Sequence, residues 1–112
     1  MKFLYALIIL LYSSQSLIAQ FETNHWYFGN GVGLDFTELP PVSDTVNVIH
    51  QLEGTATHSD SLGNLQFYTD GVTVWDANHE VMPNGVGLFG NASSTQSALI
   101  VQLPFSDSIF YI

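Results

Sequence analysis

The chain has 112 residues, no cysteine and a formal net charge of −9 at pH 7, with ten acidic residues and Lys2 as its single lysine or arginine. This charge balance disfavours nucleic acid and anionic membrane surfaces as partners, because an acidic surface repels phosphate groups. Without cysteine no disulfide can stabilise the fold, so its stability has to come from buried apolar side chains.

The first 19 residues have the pattern of a secretory signal peptide. Lys2 precedes an apolar run at residues 3–12, small polar residues follow, and we place the cleavage after Ala19. The run is shorter than the roughly 20 apolar residues that span a bilayer, so we expect no membrane insertion after cleavage. A retained membrane anchor is the alternative. The mature chain, residues 20–112, then contains no lysine or arginine.

Residues 20–112 have the composition of an all-β protein. They are rich in β-branched and aromatic residues, glycine and asparagine, and poor in alanine, glutamate and lysine. No segment shows a sustained apolar period of 3.6 residues. The length allows one small domain at most.

The N-terminal part of the mature chain predicts two strands, Trp26–Phe28 and Leu34–Phe36, joined by the glycine-rich turn Gly29–Gly33. The glycine content of the turn sequence GNGVG is also found in phosphate-binding loops. No helical pattern follows it and no lysine is near, so we interpret it as a turn.

The central part predicts a four-stranded antiparallel meander with tight turns. The turns contain Asp, Asn and Gly, and Pro83-Asn84-Gly85 is expected to end the last strand. The expected strands are residues 55–59, 65–69, 72–75 and 80–82.

The dipeptide Asp70-Gly71 predicts a two-residue type I′ hairpin turn that pairs Thr69 with Val72 and Tyr68 with Thr73. Alternation then separates the apolar side chains onto two faces. One face carries Leu65, Phe67, Val72 and Val74, and the other carries Tyr68 and Trp75. A sheet with two apolar faces is expected to have neighbours on both sides.

The C-terminal part predicts a buried strand at residues 97–102, a turn at 103–108 and a return strand at 109–112. Because the chain ends on apolar residues within that strand, we expect it to be the N-terminal piece of a longer protein. The sequences NGVGL (residues 30–34 and 84–88) and FY (67–68 and 110–111) each occur twice, at spacings near the roughly 40–50 residues of a propeller blade. Residues 20–112 therefore predict antiparallel four-stranded blades of an incomplete β-propeller, about one to two blades.

Three segments carry a resemblance to a known group of proteins. They are NHWYFGNGVGLDF (24–36), LEGTATHSDSLGNLQFYTDGVTVWDANHEVMPNG (52–85) and SSTQSALIV (93–101). Together they resemble the N-terminal β-propeller-like module of Bacteroidetes secreted and cell-surface proteins of the type IX secretion, gliding-motility-associated type. The resemblance implies a secreted or outer-surface location and later adhesive modules, and it implies no catalytic residues.

From these observations we expect a non-enzymatic binding or adhesion module that forms the N-terminal part of a larger protein. Its partners would be an extracellular ligand or polysaccharide and the remaining propeller blades. The strand at Trp26–Phe28 is expected to complete the last blade and so close the ring. Two alternatives stay open: the propeller portion of a secreted polysaccharide-degrading enzyme, and a structural spacer.

The candidate site residues fall into two groups, and none is predicted to be catalytic. Trp26 and Tyr27 are candidates for stacking against a carbohydrate, with packing between sheets as the alternative. No cofactor is expected, although oxygen ligands gathered in turns suit calcium. The calcium candidates are Asp60, Asn64, Asp76 and Asn78. Their alternative role is the turn conformation itself, which favours Asp and Asn. The scattered histidines have no spacing typical of zinc ligands.

Overall fold

The computed structural model describes residues 21–112, and the predicted signal peptide at 1–19 lies outside the described residues. Within this range the chain forms nine strands and one short 3₁₀ helix at Phe21–Thr23, and no α-helix. The all-β prediction is therefore confirmed. Across the same residues, no helix is long and apolar enough to cross a membrane.

The first sheet has three antiparallel strands in the order β1-β2-β3. They are β1 (His25–Phe28), β2 (Val32–Asp35) and β3 (Val42–Asp44). The turn between β1 and β2 contains Asn30 and Gly31 at φ of 61° and 70°, which confirms the predicted glycine-rich turn. The strand expected to close a ring, β1, pairs with β2 at the edge of this sheet.

The second sheet has four antiparallel strands in sequential order, which confirms the predicted meander. They are β4 (Ala56–Ser59), β5 (Leu65–Thr69), β6 (Thr73–Asp76) and β7 (Val81–Val86). Short polar turns connect them, as the Asp- and Asn-containing segments predicted.

The predicted two-residue hairpin turn at Asp70-Gly71 is wrong. Tyr68 pairs with Trp75 instead of Thr73, so the loop between the paired residues is two residues longer than expected. The Asp70 side chain explains the difference, because its Oδ1 accepts hydrogen bonds from the backbone N–H groups of Val72 (2.8 Å) and Thr73 (2.7 Å). A shift of two residues keeps Phe67 with Val74 on one face and Tyr68 with Trp75 on the other, as predicted. The predicted face of Leu65 is wrong: Leu65 packs against the core that contains Tyr68, beside the irregular pairing of β4 with β5.

Strand β7 also differs from expectation, because Pro83-Asn84-Gly85 lies inside the strand and does not end it. Thr73 pairs with Val86 and Trp75 with Val81, so several residues of β7 bulge opposite the single residue between them. The bulge depends on Gly85, since a Cβ there would lie 2.8 Å from the carbonyl oxygen of Val74.

The repeated sequence NGVGL has two different conformations. Asn30 lies in a hairpin turn, whereas Asn84, at φ of 60°, lies in the bulge of β7. Gly87 has a positive φ of 81°, and its counterpart Gly33 is an extended residue of β2. The two copies are thus not equivalent positions of a structural repeat.

The predicted buried strand at residues 97–102 is wrong in length and in burial. Only Val101–Gln102 forms a strand, β8, and the Val101 side chain is 47% exposed. It pairs with β9 (Phe110–Tyr111) across the predicted turn. Residues before β8 make side-chain and loop hydrogen bonds in place of a ladder: the Gly54 N–H donates to the Ser94 carbonyl at 3.0 Å.

The core lies between the first and second sheets. Tyr27, Ile49 and Tyr68 are buried there, with Leu65 and Trp75 packed against them. The Tyr68 ring meets Tyr27 edge-on at 4.8 Å and stacks on Trp75 at 5.4 Å. Hydrophobic burial of these rings is the main stabilising contribution that this composition allows.

The opposite face of the second sheet is covered by the hairpin of β8 and β9. Phe67 and Val74 are buried on this face, and the Phe67 ring packs against Phe110 at 5.1 Å. Both faces of the second sheet therefore have neighbours, as its two apolar faces predicted.

Candidate functional site

The two sheets meet where β1 runs beside β4, and threonine side chains join them. The hydroxyl of Thr57 accepts a hydrogen bond from the Tyr27 N–H at 3.4 Å. The hydroxyl of Thr55 donates to the Tyr27 carbonyl. Because these side chains take the place of a backbone ladder, the two sheet edges stay separate and leave a depression between them.

This depression, which we call the seam groove, has a volume of about 430 Å³. Aromatic side chains of β1, hydroxyl groups and one carboxylate line it. The main lining residues are Trp26, Phe28, Glu53, Thr55, Thr57 and Thr95. An apolar surface with a few polar groups is the usual composition of a small-molecule or carbohydrate site.

The two aromatic candidates on β1 have different environments. Trp26 is 49% exposed, whereas Tyr27 is 3% exposed and belongs to the core. Tyr27 donates its hydroxyl proton to Asp44 Oδ2 at 3.0 Å, and burial together with this contact raises the pKa of Tyr27. Alternation along β1 explains the difference, because neighbouring side chains point to opposite faces.

The Trp26 ring is held in place although it is exposed. Its Nε1–H donates to the Thr23 carbonyl at 2.8 Å. The ring also packs on Phe36, with 5.0 Å between ring centroids. Two contacts therefore fix an aromatic surface at the seam groove before any ligand arrives.

A second depression, the hairpin groove, lies between the second sheet and the β8–β9 hairpin and has a volume of about 500 Å³. Its lining includes Glu22, His58, Asp60, Phe67, Asp107 and Phe110. The His58 ring packs against Phe110 at 4.6 Å and Phe67 at 5.5 Å, and burial lowers the pKa of His58. The groove thus has an aromatic floor and an acidic rim.

The calcium candidates lie in two separate turns, and each carboxylate bonds to its own turn. Asp60 Oδ1 accepts from the Asn64 N–H at 2.9 Å, and Asp60 Oδ2 accepts from the Asn64 amide at 2.9 Å. Asp76 Oδ1 accepts from the N–H groups of Asn78 and Glu80. From Phe21 to Ile112, no group of three or more histidine, aspartate or glutamate side chains is arranged to hold a metal ion. The turn conformation accounts for these residues, and calcium binding stays a prediction.

A serine, a histidine and an aspartate come together at the seam, which the sequence analysis missed. His25 Nδ1 lies 3.0 Å from Ser59 Oγ, and His25 Nε2 lies 3.9 Å from Asp35 Oδ1. Ser59 has 0% exposure, so no substrate carbonyl can reach its oxygen, and 3.9 Å is too long for a hydrogen bond. The group joins β1 to β4, and no local sequence signal could have revealed it.

The Asp60 turn predicts a specific dependence of stability on pH. Hydrogen bonds from the Asn64 side chain and backbone lower the pKa of Asp60 below its usual value of about 3.9. A lowered pKa contributes stability above pH 3.9 that is lost as the pH falls through the folded-state pKa. We expect Asp60→Asn to weaken the acid-induced loss of stability, as measured by urea midpoints between neutral and strongly acidic pH. Asp107→Asn, which removes a charge outside this turn, is the control, and equal acid sensitivity in both variants would contradict the assignment.

Comparisons with known proteins give no family assignment. No protein-family model matches the chain, and no curated protein or solved structure matches it either. Function is therefore inferred from the grooves and their side chains.

Proposed function

We propose that the chain is the N-terminal part of an exported, non-enzymatic binding module that holds an extracellular polysaccharide in the seam groove. One observation carries the proposal: the Trp26 ring is half exposed, yet fixed by Thr23 and Phe36 beside a row of hydroxyl groups. Export to the outer cell surface is supported by the signal-peptide pattern of residues 1–19 and by the resemblance described above.

The apolar contribution to binding comes from Trp26. The C–H face of a pyranose ring is apolar, and it packs against an aromatic ring much as another apolar group does. Because Trp26 is already held, little side-chain entropy is lost when a sugar packs on it. The exposed indole surface is thereby removed from water, which favours binding.

The polar contribution comes from hydroxyl groups that keep part of their hydrogen-bonding capacity. Each threonine hydroxyl has one proton and two lone pairs. Thr57 accepts from Tyr27 and has its proton to offer, whereas Thr55 donates to Tyr27 and has lone pairs to offer. Glu53 adds carboxylate oxygens that accept from sugar hydroxyl groups.

A binding role is favoured over hydrolysis by the count of carboxylates. Glycoside hydrolysis commonly uses two carboxyl groups on either side of the scissile bond. Among the described residues that line the seam groove, Glu53 is the single acidic side chain. An enzyme working here would need a second carboxylate from another part of the full protein.

In this proposal the second sheet is one blade of a β-propeller and the first sheet belongs to a neighbouring blade. Support comes from the sequential order β4-β5-β6-β7 and from apolar packing on both faces of that sheet. The remaining blades of the larger protein would then be the partners of the outer surfaces.

Replacing Trp26 by alanine tests the proposal directly. We expect Trp26→Ala to weaken retention of the full chain on immobilised neutral polysaccharides by about tenfold or more, the equivalent of about 1.4 kcal/mol. The urea midpoint should fall in part, because the ring packs on Phe36 but is half exposed, so retention is compared where the variant is still folded. Retention is measured by affinity gel electrophoresis.

Phe105→Ala is the matched control, because Phe105 is a fully exposed aromatic residue outside the seam groove. Its retention should equal that of the unmodified chain. Equal retention of Trp26→Ala and Phe105→Ala would show that the seam groove is not the binding site.

A further inference from the structure

We infer that the seam groove selects uncharged polysaccharides and rejects sulfated or uronate-containing ones. This inference rests on the proposed function and specifies the chemical class of its ligand. The inference is drawn from the charged side chains at the groove and across residues 21–112. The proposed function, by contrast, depends on the aromatic contact at Trp26.

Anionic sugars are recognised through cationic side chains. Arginine and lysine bind sulfate and carboxylate groups through charge-assisted hydrogen bonds. Residues 21–112 contain neither residue type, and all ten acidic residues of the chain lie within them. A sulfate or uronate placed in the seam groove would therefore lose its hydration without gaining a cationic partner.

The local charge acts in the same direction. Glu53 lines the seam groove and is exposed at its surface, so its carboxylate repels a polymer anion directly. The ring nitrogens of His25, which also lines the groove, face Ser59 and Asp35 within the protein. The histidine is thus oriented towards protein groups and away from an incoming anion.

The hairpin groove offers no alternative site for an anionic polymer. Its rim carries Glu22, Asp60 and Asp107, whose negative charges oppose anion binding there as well. Hydroxyl groups, by contrast, match both kinds of polar group at the seam. Sugar hydroxyls can donate to Glu53 and Thr55 and can accept from Thr57.

The test uses the full chain and pairs of immobilised polymers that differ mainly in charge. The pairs are dextran with dextran sulfate, galactan with polygalacturonate, and mannan with polymannuronate. We expect retention on at least one neutral polymer. Retention on its anionic counterpart should be weaker by about tenfold or more. Low ionic strength is used, because salt would screen the repulsion.

Two substitutions at one position separate charge from shape. Glu53→Lys places a cation at the groove and should raise retention on the anionic polymer relative to the neutral one. Glu53→Gln removes the negative charge and adds no cation, so its preference should fall between those of the unmodified chain and Glu53→Lys.

The outcomes distinguish this inference from the proposed function. Equal or stronger retention on the anionic polymers, abolished by Trp26→Ala, would overturn the inference and leave the proposed function standing. Retention on no polymer of any pair, or retention that survives Trp26→Ala, would overturn both. A ratio of anionic to neutral retention that is identical in Glu53→Lys and the unmodified chain would also overturn the inference.

Discussion

Tyr68→Ala is expected to lower the free energy of unfolding by about 3–5 kcal/mol, the range for removing a large aromatic side chain from a core. Tyr68 has 0% exposure and lies between the two sheets. Its ring contacts Tyr27 edge-on and stacks on Trp75, so alanine would leave a cavity that both rings border. Urea unfolding followed by tryptophan fluorescence measures the change.

Tyr68→Phe separates the ring from its hydroxyl. The hydroxyl accepts from the Val48 N–H at 3.3 Å and lies 3.1 Å from His79 Nδ1. Removing it should cost about 1–2 kcal/mol, because those partners lose a hydrogen bond in a part-buried region. The control is Tyr111→Ala, an exposed tyrosine whose loss should change stability by less than about 0.5 kcal/mol. A loss for Tyr68→Ala no larger than that for Tyr111→Ala would contradict the position of the core.

The same hydroxyl has a consequence at alkaline pH. Burial raises the pKa of Tyr68 above its ordinary value of about 10. A raised pKa contributes stability below pH 10 that is lost as the pH rises through the folded-state value. Tyr68→Phe should therefore show a smaller alkaline loss of stability than the unmodified chain.

Gln51→Leu is expected to lower the free energy of unfolding by about 1–3 kcal/mol, although leucine is similar in size and apolar. Gln51 is 3% exposed, and its Nε2 lies within hydrogen-bond distance of three oxygens. They are the carbonyls of Asp70 (3.2 Å) and Asn91 (3.3 Å) and the hydroxyl of Ser97 (3.1 Å). Leucine removes the donor of the Asp70 carbonyl, whereas the Asn91 carbonyl keeps the Ser94 N–H and the Ser97 hydroxyl as donors. The loss of the bonds made by the buried amide accounts for the cost.

Gln51→Glu should be more destabilising than Gln51→Leu at pH 7, because a carboxylate would face the same three oxygens. The difference should shrink as the pH falls and the carboxyl group takes up a proton that it can donate. Urea midpoints at neutral and acidic pH measure it, with the exposed Gln96→Glu as the control. Equal urea midpoints for Gln51→Glu and Gln96→Glu at pH 7 would contradict this role. The side-chain amide of Gln51 would then not be the group that holds Asp70, Asn91 and Ser97 together.

Local sequence signals were sufficient to locate the strands of the second sheet but not to set every register. Alternating apolar residues and Asp- and Asn-containing turns place β4, β5 and β6 within one or two residues of their observed bounds. The β5–β6 register depends on Asp70. This residue is common in two-residue turns, but its side chain can also accept hydrogen bonds from the backbone of a longer loop, as it does here. The dipeptide alone does not distinguish these two uses.

Long-range contacts account for the parts that sequence reasoning missed. Gln51 lies outside any strand, and its partners are up to 46 residues away along the chain, so no periodicity identifies it as buried. Alternation could place Trp26 and Tyr27 on opposite faces, but the position of the second sheet decides which of them is buried. The pairing of His25 with Ser59 arises from the same contact between sheets.

The irregular strand β7 determines in which direction the second sheet can acquire neighbours. It is an edge strand, and an edge normally offers N–H and C=O groups to any further strand. Pro83 has no N–H to offer, and the backbone at Asn84 turns away from the extended conformation. Lateral extension of the sheet by a further strand is therefore obstructed at β7. Such an edge also resists the strand-by-strand addition that leads to fibrils.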